Sequence, residues 1–238
     1  MPLLLVFNYP GHHKLRHAIQ FYLDGMPTLP SSSTTASFFL PGLVHQFGNM
    51  LLAVQGHVLH VEEGGIKSMQ GLVLDVVQRG SQNLQVVRAI LGEQTGAAGS
   101  ASDLFVQIVE LGRVPARECG ITLQLSEPQK ADVIWVDAEP FVFLCADTLR
   151  RWIQGVPSGV SGSAHLSLTS DGKGGARVRF GFVACAGSLP FPLPTPEVAH
   201  AIESSLLAAN ATAHVLSAAE SCSESLEIRV PARLNAVT

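Results

Sequence analysis

The residues of this sequence best suited to chemistry are basic side chains that follow two short apolar runs. They are Lys14, Arg16 and His17 in the first segment and Arg150 and Arg151 in the second. Cationic side chains grouped on a helix can hold an anionic partner, such as the phosphate backbone of a nucleic acid. This placement favours an anion-facing surface, and the alternative is a solvated polar face on each helix.

Other patterns resemble catalytic or metal sites but lack essential members. His13 and His17 have zinc-ligand spacing on a predicted helix, without a nearby Cys or carboxylate to complete a site. Residues 159–163 lack the final Gly of a nucleophile elbow, and residues 171–175 lack the Gly-Lys-Ser/Thr ending of a phosphate loop. We therefore expect a non-enzyme with no metal and no cofactor; a small hydrolase using Ser161 is a lesser alternative.

The composition is poor in charge. Charged residues make up 14% of the 238, against about 25% in typical globular domains, and the formal net charge is −4. This balance excludes a generally basic nucleic-acid-binding coat but permits a local basic face. A surface with few charges also indicates coverage by partner subunits, so we expect a homo- or hetero-oligomer.

Cysteine usage and the apolar segments indicate an intracellular protein. The four cysteines are widely scattered and form no Cys-x-x-Cys pair, which favours a reducing compartment. The apolar run at residues 1–7 is too short for a signal peptide. Residues 25–61 contain no Asp, Glu, Lys or Arg, but prolines and glycines interrupt them, so we expect no membrane span. We expect a nuclear or cytoplasmic protein that is not secreted.

Hydrophobic periodicity divides the chain into two α+β units, 1–126 and 127–238. In the first, strands are predicted at residues 3–7, 37–40, 50–54, 57–61, 84–91, 104–111 and 121–125, with helices at 12–23 and 66–79. In the second, strands are predicted at 133–136, 141–145, 164–169, 177–185, 213–218 and 226–230, with helices at 147–155 and 195–210. Asp171-Gly172 predicts a hairpin turn. The pattern is that of a duplicated unit with antiparallel sheets and two helices in each half.

Two such units in a chain of this length resemble the DNA sliding-clamp fold, the family of the replicative clamp, the checkpoint clamp and the herpesvirus polymerase processivity factors. Residues 143–152, Phe-Leu-Cys-Ala-Asp-Thr-Leu-Arg-Arg-Trp, resemble the strand-into-helix opening of a clamp half. The helices of that family face DNA and carry basic residues. The matching side chains here are Lys14, Arg16, Lys67, Arg79, Arg150 and Arg151.

The resemblance implies a non-catalytic clamp-like subunit of a complex acting on DNA in replication, repair or checkpoint signalling. It would grip double-stranded DNA through those six residues and His17, without reading sequence. The last predicted helix carries Glu197 and Glu203 and no Lys or Arg, which fits a divergent subunit better than a self-sufficient ring. The rival hypothesis is a scaffold or assembly subunit, viral or cellular, with protein partners only. Its interface would include Leu189, Phe191 and Leu193 in a proline-rich strip.

Overall fold

The computed structural model describes residues 30–59, 66–93, 96–126, 133–156, 159–172, 174–184, 206–207, 209–216 and 225–232. The basic segment with Lys14, Arg16 and His17 lies outside the described residues, together with the predicted strand at 3–7 and helix at 12–23. The proposed interface residues Leu189, Phe191 and Leu193 also lie outside them, as does most of the predicted helix at 195–210.

Two long helices begin the described chain, in a region where the sequence predicted mostly strands. Helix α1 spans Pro30–Leu59 and helix α2 spans Ile66–Ile90. The helix predicted at 66–79 is confirmed. The strands predicted at 37–40, 50–54 and 84–91 are wrong, and so is the described part, 57–59, of the strand predicted at 57–61. The buried residues Ala36, Phe39 and Leu43 recur every three or four positions, which is the periodicity of a helix face. Short apolar runs within that stripe look like strands when each is considered alone.

Helix α1 is also the most apolar helix described. Its Ser33–Gly56 segment is long and apolar enough to cross a membrane, by length and composition only. In this fold, however, Phe39, Leu40 and Leu43 in its first half are buried in the protein core. The first half of α1 carries no Asp, Glu, Lys or Arg, which agrees with its burial against the other helices.

The next two helices replace further predicted strands. Strand β1 (Ala98–Ser100) leads into helix α3 (Ala101–Glu118), and strand β3 (Trp135–Asp137) leads into helix α4 (Ala138–Gln154). The backbone N–H of Asp103 donates to the Ser100 hydroxyl oxygen at 3.4 Å, which caps α3. Predicted strands at 104–111 and 141–145 lie inside these helices and are wrong. Both runs are largely buried, and a buried helix and a buried strand share the same continuous apolar sequence.

A five-stranded sheet follows the strand predictions for the rest of the chain. Its strands are β2 (Ile121–Leu125), β4 (Gly162–Ser170), β5 (Ala176–Ala184), β6 (Thr212–Leu216) and β7 (Ser225–Val230). The spatial order is β2-β4-β5-β7-β6, with β2 parallel to β4 and the other pairs antiparallel. The hairpin at Asp171-Gly172 is confirmed, and Gly172 adopts a φ of +75° that favours glycine.

The fold class is α+β, as predicted, but the duplicated arrangement is wrong. The described residues between 30 and 118 are almost entirely helical, whereas the described strands of the large sheet lie between residues 121 and 230. The sheet is mixed rather than antiparallel, because β2 runs parallel to β4. The domain boundary after residue 126 stays a prediction. Strand β2, before it, and the described strands β4 to β7, after it, belong to one sheet.

The core lies between one face of the sheet and helices α3 and α4. Phe180 of β5 makes edge-to-face contacts with Phe105 of α3 and Trp152 of α4, at centroid distances of 6.2 and 6.1 Å. Cys145 is fully buried in the same core, and desolvation raises the pKa of its thiol, so it packs as a neutral apolar side chain. The opposite face of the sheet is polar, since Arg177 and Arg179 alternate with buried Val178 along β5.

The hairpin of α1 and α2 packs against this layer through a close helix crossing. At Gly42 of α1, an added Cβ would lie 1.8 Å from the carbonyl oxygen of Leu111 in α3. No side chain fits at that distance, so α1 can approach α3 this closely only through a glycine. At Gly56, near the other end of α1, an added Cβ would meet nothing within 4 Å.

Gly42→Ala should therefore lower the free energy of unfolding by at least about 2 kcal/mol, because the methyl group collides with backbone that cannot rotate away. Gly56→Ala is the matched control in the same helix. It should stabilise the protein by about 0.5–1 kcal/mol through helix propensity. Urea unfolding followed by circular dichroism measures both, and equal effects of the two substitutions would contradict the close crossing.

Candidate functional site

The later part of α1 and the first part of α2 extend beyond the residues of these helices that pack on the core; we call residues 45–56 and 70–79 the hairpin end. Between residues 45 and 56 of α1 and between 70 and 79 of α2, every described side chain is exposed or half-buried. Before residue 45 and after residue 79, buried side chains such as Leu43 and Val86 resume. The hairpin end therefore presents its side chains to solvent and to other molecules while the rest of the hairpin anchors it.

A histidine and an asparagine face solvent where this end begins. His45 and Asn49 are one helical turn apart on α1, and both are exposed. The Asn49 Nδ2 atom lies 3.1 Å from His45 Nε2. In the tautomer with the ring proton on Nδ1, Nε2 accepts from the Asn49 amide N–H. In that tautomer a neighbouring side chain orients the electron pair of an exposed imidazole.

The same helix face continues toward the hairpin tip. Leu52 and Gly56 lie seven and eleven residues after His45, positions that share its face, and both are exposed. Leu52 lies about 10 Å along the helix from His45. The face therefore combines a nucleophilic side chain with an apolar contact and an open backbone position, which suits a protein that must approach His45 closely.

A buried polar network anchors the hairpin to the core layer. Asp147 of α4 is 1% exposed, and its Oδ1 accepts hydrogen bonds from the Thr35 hydroxyl of α1 at 2.9 Å and from Arg150 Nη2 at 2.6 Å. Its Oδ2 accepts from Arg151 Nε at 2.8 Å. Arg150 Nε donates to the Thr35 oxygen at 3.0 Å. Charge-assisted bonds of this kind are the strong ones, and here they join two helices 112 residues apart in sequence.

This network changes the interpretation of the basic residues in the second predicted cluster. Arg150 is 7% exposed and also donates to Gln154 through Nη1 at 2.9 Å, so it lies inside the protein and faces no external anion. Arg151 is half-buried and paired with Asp147. Arg150 follows Asp147 by three residues and Arg151 follows it by four. These are the spacings at which oppositely charged side chains pair within a helix.

The remaining predicted basic residues do not gather with them. Arg79 is exposed on α2 and pairs with Asp75 one turn earlier, with 2.7 Å between Nη2 and Oδ2. The backbone of Lys67 lies in the first turn of α2, and its side chain is outside the described residues. The structure therefore brings Arg150 and Arg151 together, but around a buried carboxylate and not on a cationic surface shared with Arg79.

Comparisons with solved structures return histidine kinases and a bacterial phosphotransferase. No protein-family model and no curated protein matches the sequence. Among solved structures, the Acinetobacter baumannii histidine kinase AdeS is 9% identical, with a TM-score of 0.42, over 79% of this chain and 98% of that chain. A histidine kinase domain from Erythrobacter litoralis is 14% identical, with a TM-score of 0.40, over 78% and 96%. A bacterial phosphotransferase is 16% identical, with a TM-score of 0.41, over 86% and 100%.

Several expectations are corrected by these findings. The sliding-clamp resemblance is wrong: the similar structures are histidine kinases and a phosphotransferase, and residues 30–59 and 66–90 are helices where a clamp unit needs strands. The expected roles in DNA replication, repair and processivity depended on that resemblance and are wrong as well. No finding supports a DNA partner. The expectation of a non-catalytic subunit is also contradicted: the solved structures to which this chain is similar are histidine kinases and a phosphotransferase.

Sequence reasoning missed His45 because it assigned strands to the surrounding residues. Two signals could have found it. His45 and Asn49 have helical i, i+4 spacing. Phe39 and Leu43, which are buried, mark the opposite face of the same helix. Together they would have placed His45 on the exposed side of a helix rather than at a strand edge.

Replacing Asp147 with Ala should lower the free energy of unfolding by roughly 3–5 kcal/mol, since it leaves the buried Arg150 guanidinium and the Thr35 hydroxyl without their acceptor. Asp75→Ala is the matched control, because it removes an exposed acid from an i, i+4 pair with arginine, and should change stability by no more than about 0.5 kcal/mol. Chemical denaturation measures both. A similar small effect for the two variants would show that the Asp147 network does not anchor the hairpin.

Proposed function

We propose that this protein is a phosphotransferase of the histidine-kinase type, in which His45 accepts a phosphoryl group and passes it to another protein. One observation carries the proposal: His45 is exposed on the projecting hairpin, with its Nε2 electron pair held by Asn49 at 3.1 Å. Phosphoryl transfer requires an accessible nucleophile whose position is fixed before the reaction. Similarity to histidine kinases and to a bacterial phosphotransferase agrees with this assignment.

The transfer step uses the His45 tautomer that carries its proton on Nδ1. The electron pair of Nε2 forms the new N–P bond while the bond between phosphorus and the donor's leaving atom breaks. The leaving group departs with the electron pair of the broken bond, and the ring releases its Nδ1 proton to solvent. Asn49 releases Nε2 as the phosphorus approaches, and its amide N–H can then donate to a phosphoryl oxygen. The second transfer reverses these roles, with the phosphohistidine as donor and a nucleophile of the receiving protein as acceptor.

A phosphorylated protein is the donor in this proposal, because His45 is exposed on a helix face that a residue carried by another protein can reach. The chain then acts as a carrier between two protein partners.

The expected oligomer is a pair of identical chains joined at the hairpin. Leu74, Val77 and Leu84 of α2 are 69%, 61% and 48% exposed, and their spacing places them on one side of the helix. An isolated helix pair buries little apolar surface, whereas two pairs form a four-helix bundle with a core. A second copy of this chain supplies the matching hairpin and covers these side chains.

Incubation with radiolabelled phosphoramidate should label the wild type with one phosphoryl group that is lost in acid and kept in alkali, as expected of phosphohistidine. His45→Gln should abolish the label, because it removes the accepting nitrogen. Asn49→Ala should slow labelling by about 2–10-fold, the value of one hydrogen bond. Scintillation counting after gel electrophoresis measures all three.

His165→Gln is the control for that experiment, since His165 is an exposed histidine on the sheet and should keep full labelling. Labelling of His45→Gln at the wild-type rate would contradict the proposal. A parallel reaction with labelled MgATP identifies the donor class. Label on His45 from MgATP would make the chain a kinase and contradict transfer from a protein donor, while label from phosphoramidate alone agrees with it.

The double substitution Leu74→Glu/Val77→Glu should convert the dimer to a monomer, because it places four acidic side chains in the bundle core. Size-exclusion chromatography with light scattering should show the mass fall from twice the monomer value to the monomer value. Leu207→Glu changes an exposed leucine away from the hairpin and should remain dimeric. A wild type that is monomeric throughout the concentration range would contradict pairing.

A further inference from the structure

Three arginines surround one glutamate on the polar face of the large sheet. Arg229 Nε and Arg179 Nη2 each lie 2.9 Å from an oxygen of Glu227, on Oε1 and Oε2 respectively. Arg177 Nε lies 3.4 Å from Oε1. The register of β5 and β7 places Arg177 opposite Arg229 and Arg179 opposite Glu227. We call these four residues the arginine cluster.

The arginine cluster keeps a positive charge that nothing on the five described strands of the sheet neutralises. Glu227 is 2% exposed; burial alone would raise the pKa of its carboxyl, but hydrogen bonds from Arg179 and Arg229 and the charges of Arg177 and Arg179 lower it below the usual range. Glu227 is therefore ionised at neutral pH, and three guanidinium groups against one carboxylate leave a net charge of +2. Those five strands contain no other Asp, Glu, Lys or Arg.

A further anion bound to the arginine cluster would reduce the repulsion between its arginines. Like charges directly opposite each other in a sheet, as Arg177 and Arg229 are, repel one another. Glu227 holds the three side chains in place, while the Arg179 and Arg229 side chains remain 46% and 48% exposed. Each guanidinium has five N–H donors, so the outward groups still have donors to offer after binding Glu227.

The size of the arginine cluster selects its occupant. Facing residues of neighbouring strands are about 5 Å apart and diagonal ones about 7–8 Å apart, so the cluster is a compact group of donors that fits a short anionic segment. A nucleic-acid backbone is bound through longer rows of about 6–10 phosphate contacts, and anionic membranes attract clusters of about 4–8 cations. Ser167 and Thr169 of the adjacent strand β4 lie opposite Arg179 and Arg177 and add hydroxyl groups for a peptide's polar atoms.

We propose that the arginine cluster is a docking site for a short Asp/Glu-rich segment of a protein partner. The arginines bind the carboxylates of that segment, and Glu227 keeps the guanidinium groups oriented toward it. The site lies on the sheet face opposite helices α3 and α4 and does not depend on the role of His45. It gives this charge-poor protein a second means of recognising a partner, separate from the hairpin.

The test is binding of a short fluorescein-labelled Asp/Glu peptide to the full chain, measured by fluorescence anisotropy at low salt. Arg179→Gln and Arg229→Gln should each weaken binding by about threefold, and together by about tenfold. The double Arg→Lys variant keeps the charge and should recover most of the affinity. Arg79→Gln removes an exposed arginine from α2 and should bind like the wild type. Thermal unfolding by circular dichroism checks that every variant is folded.

Three results would overturn the proposal: no binding by the wild type, an equal loss in Arg79→Gln, or equal binding of the matching Asn/Gln peptide. A fourth concerns the occupant. Duplex DNA or phosphatidylserine vesicles that bind more tightly than the peptide, with the same dependence on Arg179 and Arg229, would show that the acidic peptide is the wrong partner. Loss of peptide binding leaves His45 labelling unchanged, so failures of the two proposals are distinguishable.

Discussion

A buried carboxylate holds the two parts of this protein together. Asp147 lies in the interior of α4, where an ionised side chain is costly unless every oxygen is bonded. Thr35 from α1 supplies one of those bonds, and Arg150 and Arg151 supply the others. Because the network is complete only when α1 lies against α4, it fixes the hairpin relative to the sheet. The close approach of α1 to α3 at Gly42 supports the same arrangement from the other side.

The exposed hairpin end follows from that anchoring. Apolar side chains in the first half of α1 and the second half of α2 are buried in the core, which leaves the stretch around His45 and Leu74 to project from it. The anchored base holds His45 where the projecting end begins, without enclosing it. In the proposed function this exposure suits chemistry on a residue carried by another protein, whereas an enclosed nucleophile would suit a small-molecule substrate.

The two faces of the sheet divide packing from recognition. Phe180 and its neighbours build the core on one face, and the arginine cluster lies on the other. Strand alternation makes this division automatic, because a residue and its successor point to opposite faces. Five arginines are used in two different ways: Arg150 and Arg151 bind a buried acid, while Arg177, Arg179 and Arg229 remain partly exposed.

The sequence by itself determined the α+β class, the helix that begins at Ile66 and the sheet strands near Asp171-Gly172, because those signals are local: periodicity and turn chemistry. It did not determine whether buried runs such as Phe141 to Cys145 form a helix or a strand, since either element can bury such a run. Only the tertiary structure decided that Arg150 is buried and His45 exposed. Burial depends on which element packs against α4, and Thr35 reaches Asp147 across 112 residues of chain that no local pattern connects.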